Sequence, residues 1–230
     1  MRSGPGEAGD VAVGASDDAT VGEVGEVGEV GDVTVGAAGG SRLADDLENV
    51  LRTWSAPDRE QEALRESFLG HLVRHPDAVH RDGPPEHFTV GCVVLDAEGE
   101  QVLLTLHAKA RRWFQLGGHI EPGDPSIAGA ALREAVEESG LCARDLTVHP
   151  EPVLLDRHEL PGAFGRCSAH LDIRYAAVAR PGSQPRVSSE SLDLAWWPAD
   201  ALPEGTAEEL TPSVRAARAA VAALTPPALP

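Results

Sequence analysis

The stretch that decides the fold is "GGHIEPGDPSIAGAALREAVEESGL", residues 117–141. It opens with two glycines and later places one Arg and three Glu within the six residues 133–138. Carboxylates that lie so close together repel one another unless a cation or a basic side chain neutralises them. The cluster is therefore either a solvated helix face or a cation-binding site, and the flanking sequence has to distinguish the two.

The residue spacing predicts that the second half of this stretch is a helix. Asp124, followed by a proline, is typical of a helix start, and Gly140 is typical of a helix end. Glu134, Glu137 and Glu138 are three and four residues apart and share one face. Small and apolar residues follow the same rhythm on a neighbouring face that can pack on a sheet: Ala128, Ala131, Leu132, Ala135 and Ser139.

Two interpretations of the acidic face stay open on geometry alone. In the first, Arg133 and Glu137 form an ordinary surface pair of a charged helix. In the second, the preceding glycine turn brings free backbone carbonyls toward the carboxylates, and together they bind a hard cation such as Mg²⁺, which prefers oxygen ligands.

With these residues in view, residues 118–141 resemble the Nudix box of the Nudix hydrolases, G-x5-E-x7-R-E-U-x-E-E-x-G-U, where U is apolar. The matching positions are Gly118, Arg133, Glu134, Ala135, Glu137, Glu138, Gly140 and Leu141. Asp124 replaces the first Glu, and eight residues rather than seven separate it from Arg133. In the family the first acid helps to orient the Arg, and here that contact would have to be made by a shorter side chain from a loop with one extra residue.

The resemblance implies a function and a set of site residues. It implies attack of water on a phosphoanhydride in a nucleoside diphosphate linked to another moiety, a small-molecule substrate. Mg²⁺ or Mn²⁺ would be held by Glu134, Glu137, Glu138 and the carbonyl of Gly118. Arg133 would steer the carboxylates through hydrogen bonds.

The resemblance leaves the catalytic base open between two acids. Some family members use a box Glu, which is Glu134 here, and others use an acid on a later loop. Glu190, in the Ser-rich "RVSSESLDLAWW", resembles that later acid. The alternative is that Glu190 is an ordinary exposed loop residue.

The fold expected is α+β, a Nudix-type α/β/α sandwich with a mixed β-sheet, preceded by a helical extension. The order of strand, hairpin, box helix, strands and C-terminal helix in residues 86–225 resembles a Nudix hydrolase domain, and β-type runs such as "FTVGCVVLD" and "QVLLTLHA" outnumber helices there. Residues 41–85 would form the extension, with leucines at helical spacing. We expect this helical pair to pack on the main domain; the alternative is a dimerisation arm, which would make the protein a homodimer.

Residues 1–40 differ in composition from the rest of the chain. They hold eleven Gly and eight acids against Arg2 alone, and repeat a tripeptide in "GEVGEVGEVGDV". Too little apolar surface is available to offset the ordering entropy, so a disordered acidic tail is expected. An acidic segment that attracts a basic partner is the alternative.

The bulk composition excludes several classes of protein. The net charge of −18 argues against binding nucleic acid, since phosphate contacts need clustered Lys and Arg. Three widely spaced cysteines form no disulfide framework, and no run reaches the length of a membrane span. We therefore expect a soluble cytoplasmic protein without nucleic-acid or membrane partners.

Other chemistry-bearing residues give weaker signals. A zinc site is one hypothesis, although the spacing of its ligands matches no standard zinc module: His158, Cys167, His170 and Asp172. His119, beside the glycine pair, would contact a phosphate or cap the turn. Trp113 and Phe114 would pack in the core or stack on a base.

Two other functions and the choice of substrate also stay open. The replacement of the first box Glu by Asp124 motivates a nucleotide-binding sensor with little hydrolysis. Isomerisation of a prenyl diphosphate on the same fold would need a catalytic Cys, for which Cys92 is the candidate. ADP-ribose hydrolases of the family often have a Pro about sixteen residues beyond the box, where this chain has Arg157, so the substrate is not identified.

Overall fold

The computed structural model describes residues 35–160, 166–188 and 191–224. The helices are α1 (Val35–Thr53), α2 (Arg59–Arg74), α3 (Ile127–Ser139) and α4 (Leu210–Leu224). The strands are β1 (Glu86–Leu95), β2 (Gln101–His107), β3 (Trp113–Phe114), β4 (Leu116–His119), β5 (Leu146–Val148), β6 (Leu154–Glu159), β7 (Ala169–Ala179) and β8 (Ser191–Pro198).

The strands form one mixed sheet with β1 at its centre. β1 runs parallel to β7 over its full length and antiparallel to β2 and β4. β8 and β3 pair with β2, while β5 and β6 pair with β7. Because helices cover both faces of the sheet, nearly every residue of β1 and β7 is buried.

Alternate residues of β1 face two separate cores. Phe88 and Val90 join the core formed with α1, α2 and α3, whereas Val93 and Leu95 join the core formed with α4. This alternation follows from the two-residue period of a strand. The predicted α/β/α sandwich with a mixed sheet is confirmed.

The helical extension packs on the sheet as part of the first core. Leu43, Leu47 and Leu51 of α1 are fully buried there, together with Phe68 of α2. The apolar face that would serve a dimerisation arm is thus covered within the chain. Buried Gln61 of α2 reinforces the contact, since its side-chain amide exchanges hydrogen bonds of 3.0 and 2.8 Å with the backbone of β6.

The structure differs from the sequence-based expectations at three places. Helix α1 begins at Val35, inside the predicted tail of residues 1–40, because the turns anchored by buried leucines nucleate a helix that propagates toward the N-terminus despite three glycines in residues 35–40. Residues 1–34 lie outside the described part. The short strand β5 was not predicted, and the box helix is capped by Ser126 rather than by Asp124.

Among the described residues, no helix has both the length and the apolar character that crossing a bilayer requires.

Candidate active site

The glycine pair at the start of β4 lets the box helix α3 approach the sheet closely. A Cβ on Gly117 would lie 2.4 Å from the carbonyl oxygen of Val90, and one on Gly118 would lie 2.7 Å from a carboxylate oxygen of Glu134. The backbone N–H of Gly117 donates a 3.0 Å hydrogen bond to Oε2 of Glu138. A side chain at Gly118 would force Glu134 away from this strand, and one at Gly117 would collide with the backbone of β1.

Arg133 donates hydrogen bonds to three acids of the site and orients them. Its Nη1 donates to Glu134 and to Glu137, each at 3.0 Å, and its Nη2 donates to the carbonyl of His119 at 2.8 Å. Its Nε and Nη2 bind the two oxygens of Asp124 at 2.8 and 3.0 Å. These bonds, first of all the pair with Asp124, raise the pKa of Arg133 above its ordinary value.

Asp124 binds Arg133 although it is shorter than the Glu of the family pattern and one residue further from the Arg. Its carboxylate is 3% exposed and also accepts a 2.8 Å hydrogen bond from the N–H of Glu121. A turn from Glu121 to Asp124 absorbs the additional residue. Because the carboxylate is engaged in this way, it is not the N-cap of α3, and Ser126 Oγ accepts from Gly129 N–H at 3.0 Å instead.

The helical extension supports the same loop from outside the box. Asp46 of α1 accepts a 2.8 Å hydrogen bond from the N–H of Ile127, the first residue of α3. Arg42 of α1 donates at 3.1 Å to the carbonyl of Asp124. These two residues could not be identified from local sequence patterns, because their partners are more than 80 positions away.

Glu134 is more enclosed than Glu137. Its side chain is 13% exposed, whereas that of Glu137 is 57% exposed. Burial raises the pKa of Glu134 above the usual range of Glu, and the positive charge of Arg133 acts in the opposite direction. A carboxylate held in this environment is stabilised by any further positive charge that binds beside it.

These acids line a cleft of about 560 Å³. Its walls are the segments 80–82 and 117–122, the Arg and three Glu side chains of α3, and Ser188. The volume lies within the range of small-molecule sites. Glu134, Glu137, Glu138, Gly118 and Arg133, the site residues inferred from the sequence that the structure describes, are therefore brought together on one surface.

The remaining sequence candidates have different environments. Glu190 lies outside the described residues. Trp113 is buried and packs edge-to-face on Trp197 with ring centroids 5.4 Å apart, which is a core role. Cys92 is fully buried, and burial raises the pKa of its thiol to about 12, which makes a catalytic thiolate unfavourable.

The zinc hypothesis needs a different set of residues. Asp172 binds Arg174 at 2.8 Å and Thr89 at 3.1 Å, and His158 bonds to Asp156 at 3.0 Å, so both are engaged elsewhere. Cys167 and His170 instead meet two histidines that are distant in sequence: His87 and His119. Burial lowers the pKa of His119 to about 4, and that ring is therefore neutral at pH 7.

Several known proteins are similar to this chain. The family model described as the NUDIX domain matches residues 85–217, more than half of the chain. A NUDIX-family hydrolase structure from Clostridium perfringens is 25% identical, with 60% of this chain and 98% of that chain covered and a TM-score of 0.47. A C. elegans Ap4A hydrolase in a binary complex is 20% identical, with 60% and 98% covered and a TM-score of 0.49.

A third similar structure is the NUDIX domain of Shewanella oneidensis NrtR complexed with ADP ribose. It is 20% identical, with 57% of this chain and 86% of that chain covered and a TM-score of 0.44. A comparison with curated proteins found no match.

Proposed function

The chain belongs to the Nudix family of hydrolases acting on phosphoanhydrides, and we propose that it is a metal-dependent pyrophosphohydrolase of nucleoside diphosphates linked to another moiety. The observation that carries the proposal is the convergence of Glu134, Glu137 and Glu138 on one cleft beside Gly118, with Arg133 tying two of these acids to the box loop. On a solvated helix face, Arg133 would not need a buried carboxylate such as Asp124 to hold its guanidinium in place.

The donor set fits Mg²⁺ or Mn²⁺. Carboxylates and a backbone carbonyl are the oxygen ligands that hard cations prefer, and such sites leave positions for water and substrate phosphates. Glu134, Glu137, Glu138 and the carbonyl of Gly118 would hold the cation. When bound, it would neutralise charge on the pyrophosphate and lower the pKa of a water molecule.

Hydrolysis of the phosphoanhydride needs a base as well as charge neutralisation. The water oxygen forms a bond to phosphorus, the bridging P–O bond breaks, and the leaving phosphate takes the bonding electron pair. The proton of the water passes to a carboxylate. Arg133 keeps Glu134 and Glu137 in fixed positions during this step and so acts through them.

Two carboxylates are candidates for the base. Glu134 faces the cleft, and it is more enclosed than Glu137, the other Glu that Arg133 binds. Glu190 is the second candidate, because Ser188, two positions before it in the chain, lines the same cleft. If Glu190 is the base, Glu190→Gln lowers kcat by about 10²–10⁴-fold without changing the Mg²⁺ requirement. A variant that keeps more than about half of the wild-type kcat assigns the role to Glu134.

The cleft also offers a place for the substrate's phosphates. Arg81 is exposed on its wall, opposite in sign to the acids of α3, and His80 stands beside it. We propose that Arg81 binds a substrate phosphate that the cation does not reach, because an Arg guanidinium binds phosphate in a bidentate manner.

The cytoplasmic location and the homodimer stay predictions; size-exclusion chromatography tests the homodimer.

The test is a substrate screen with Mg²⁺ combined with isosteric variants. The panel contains nucleoside diphosphate sugars, ADP-ribose, dinucleoside polyphosphates such as Ap4A, and oxidised nucleoside triphosphates. Glu137→Gln and Glu138→Gln should each remove most turnover and leave the melting temperature within a few degrees of the wild type, because each removes one metal-binding charge.

Glu48→Gln is the matched control. Glu48 also pairs with an Arg four residues away on a helix, at 2.6 Å, but it lies on α1 outside the cleft. It should keep full turnover. Near wild-type rates for the Glu137 and Glu138 variants would refute the catalytic site. Tight nucleotide binding without turnover of any compound would instead indicate a sensor.

A further inference from the structure

A cluster of three histidines and one cysteine lies at the end of the sheet beside the cleft. His87 on β1 is paired in register with His170 on β7, and His119 is on β4, which also pairs with β1. Cys167 precedes β7. One side-chain nitrogen of each histidine and the Cys167 sulfur all lie within 4.8 Å of one another.

The backbone holds the four residues in this arrangement. The N–H of Ser168 donates a 2.8 Å hydrogen bond to the carbonyl of Pro85, which keeps the segment containing Cys167 against the start of β1. The three strands fix the other members, since their registers are set by continuous ladders. The cluster is therefore built by the fold and does not depend on one flexible loop.

Three nitrogen atoms in the cluster lack a hydrogen-bonding partner. The Nε2 atoms of His87, His119 and His170 are buried and make no hydrogen bond to another group of the described residues. His87 as a whole is only 1% exposed. Buried polar atoms are normally paired, so three unpaired nitrogens beside one thiol indicate a common ligand.

The hydrogen bonding of His87 identifies the atom that faces this ligand. Its Nδ1 lies 3.1 Å from the carbonyl oxygen of Pro84, which can only accept, so Nδ1 carries the hydrogen. In the neutral ring Nε2 then carries a lone pair, and it is the nitrogen that remains available to bind a metal ion. Metal-binding histidines are commonly oriented in this way, by a backbone carbonyl on the opposite ring nitrogen.

We propose that His87, His119, Cys167 and His170 bind one zinc ion in a closed tetrahedral site. Imidazole nitrogen and thiolate are the ligands that zinc prefers, and four protein ligands are typical of structural zinc. Zinc–ligand distances of about 2.0–2.3 Å place tetrahedral ligands roughly 3.3–3.7 Å apart, so the cluster contracts by about 1 Å on binding. The thiol of Cys167 gives up its proton to solvent in the same step.

This zinc site is distinct from the carboxylate site in the cleft and does not rest on hydrolytic activity. It has no oxygen ligand, and Mg²⁺ does not compete for nitrogen and sulfur donors. Its effect on the cleft is indirect: it fixes β4 at His119, whose carbonyl accepts the 2.8 Å hydrogen bond from Arg133. The bound zinc therefore links β1, β4 and β7 and stabilises the strand that carries the glycine pair.

The first experiment measures metal in the full chain. Protein from zinc-supplemented cells, after gel filtration in Mg²⁺ buffer, should hold about one zinc per chain by mass spectrometry. Chelation should lower the melting temperature, and zinc at 100 times its Kd should raise it again by roughly 5–10 °C. Cobalt(II) added to the stripped protein should give tetrahedral visible bands and a thiolate charge-transfer band.

The second experiment tests the ligands one by one. Cys167→Ser should abolish the thiolate charge-transfer band, and His170→Asn should reduce zinc content severalfold. His158→Asn is the control, because its ring centroid lies 5.3 Å from that of His170 while its Nδ1 bonds to Asp156. It should retain zinc.

Failure of the wild-type chain to bind zinc or cobalt would overturn the proposal even if the variants did not fold. An unchanged charge-transfer band in Cys167→Ser would do the same. So would equal zinc loss in His158→Asn and His170→Asn.

Discussion

Replacement of Asp124 by Ala is expected to destabilise the protein and to slow turnover. The carboxylate is 3% exposed and binds Arg133 through two hydrogen bonds of 2.8 and 3.0 Å. Removing one partner of a buried pair costs about 3–5 kcal/mol. Arg133 keeps three other acceptors, so we expect the lower end, about 3 kcal/mol of unfolding free energy. At about 2–4 °C per kcal/mol for a chain of this size, the melting temperature falls by roughly 6–12 °C.

Turnover falls for a separate reason. Without Asp124, the guanidinium of Arg133 is free to tilt, and the acids that it orients lose their fixed positions. Changes to residues that support metal ligands typically cost about 10–100-fold, so we expect a loss of that size in kcat at saturating Mg²⁺. Differential scanning fluorimetry gives the first effect and steady-state kinetics the second.

Asp145→Ala is the matched control for this prediction. Asp145 lies 3.7 Å from Arg180 in a pair whose side chains are 26% and 66% exposed. Exposed pairs contribute about 0–1 kcal/mol, so this variant should lose at most about 4 °C and no turnover. If Asp124→Ala behaves like Asp145→Ala in both measurements, the buried pair with Arg133 does not organise the site.

Two further predictions concern residues of the extension. Arg81→Gln should raise KM about tenfold or more with little change in kcat, because Arg81 is proposed to bind a phosphate equally in the ground state and the transition state. An unchanged KM would show that Arg81 does not bind the substrate. Asp46→Ala should lower the stability by about 1 kcal/mol, the usual value of a side-chain cap on a helix N-terminus, since it frees the N–H of Ile127; thermal unfolding identical to the wild type would show that the cap is dispensable.

The box helix could be predicted from the sequence because its determinants are local. The spacing of Glu134, Glu137 and Glu138 sets a common face in any α-helix, and Gly140 ends the helix in the left-handed conformation with φ of 65°. The contact of Asp124 with Arg133 could not be predicted. It depends on how a loop with one extra residue closes, and that follows from a turn at Glu121 that the spacing alone does not specify.

The zinc hypothesis shows where sequence reasoning reaches its limit. The sequence hypothesis contained Cys167 and His170, which are three positions apart in the chain. His87 was not, since its position beside His170 depends on the parallel register of β1 and β7, which pairs residues 83 positions apart. Asp172 was included because it shares a strand face with His170, but buried Arg174 binds its carboxylate and removes it from the candidate ligands.

The helical extension has a larger part in the site than its position before the matched family region suggests. Arg42 and Asp46 bond to the two ends of the segment 124–127 that enters the box helix, and Arg81 stands on the cleft wall. The same extension buries Leu47 in the core shared with α3. Any shift of α1 therefore acts on the backbone of Asp124, and through its carboxylate on Arg133 and the acids that Arg133 holds. The box contains the charged residues of the site, and the extension helps to hold the loop that positions them.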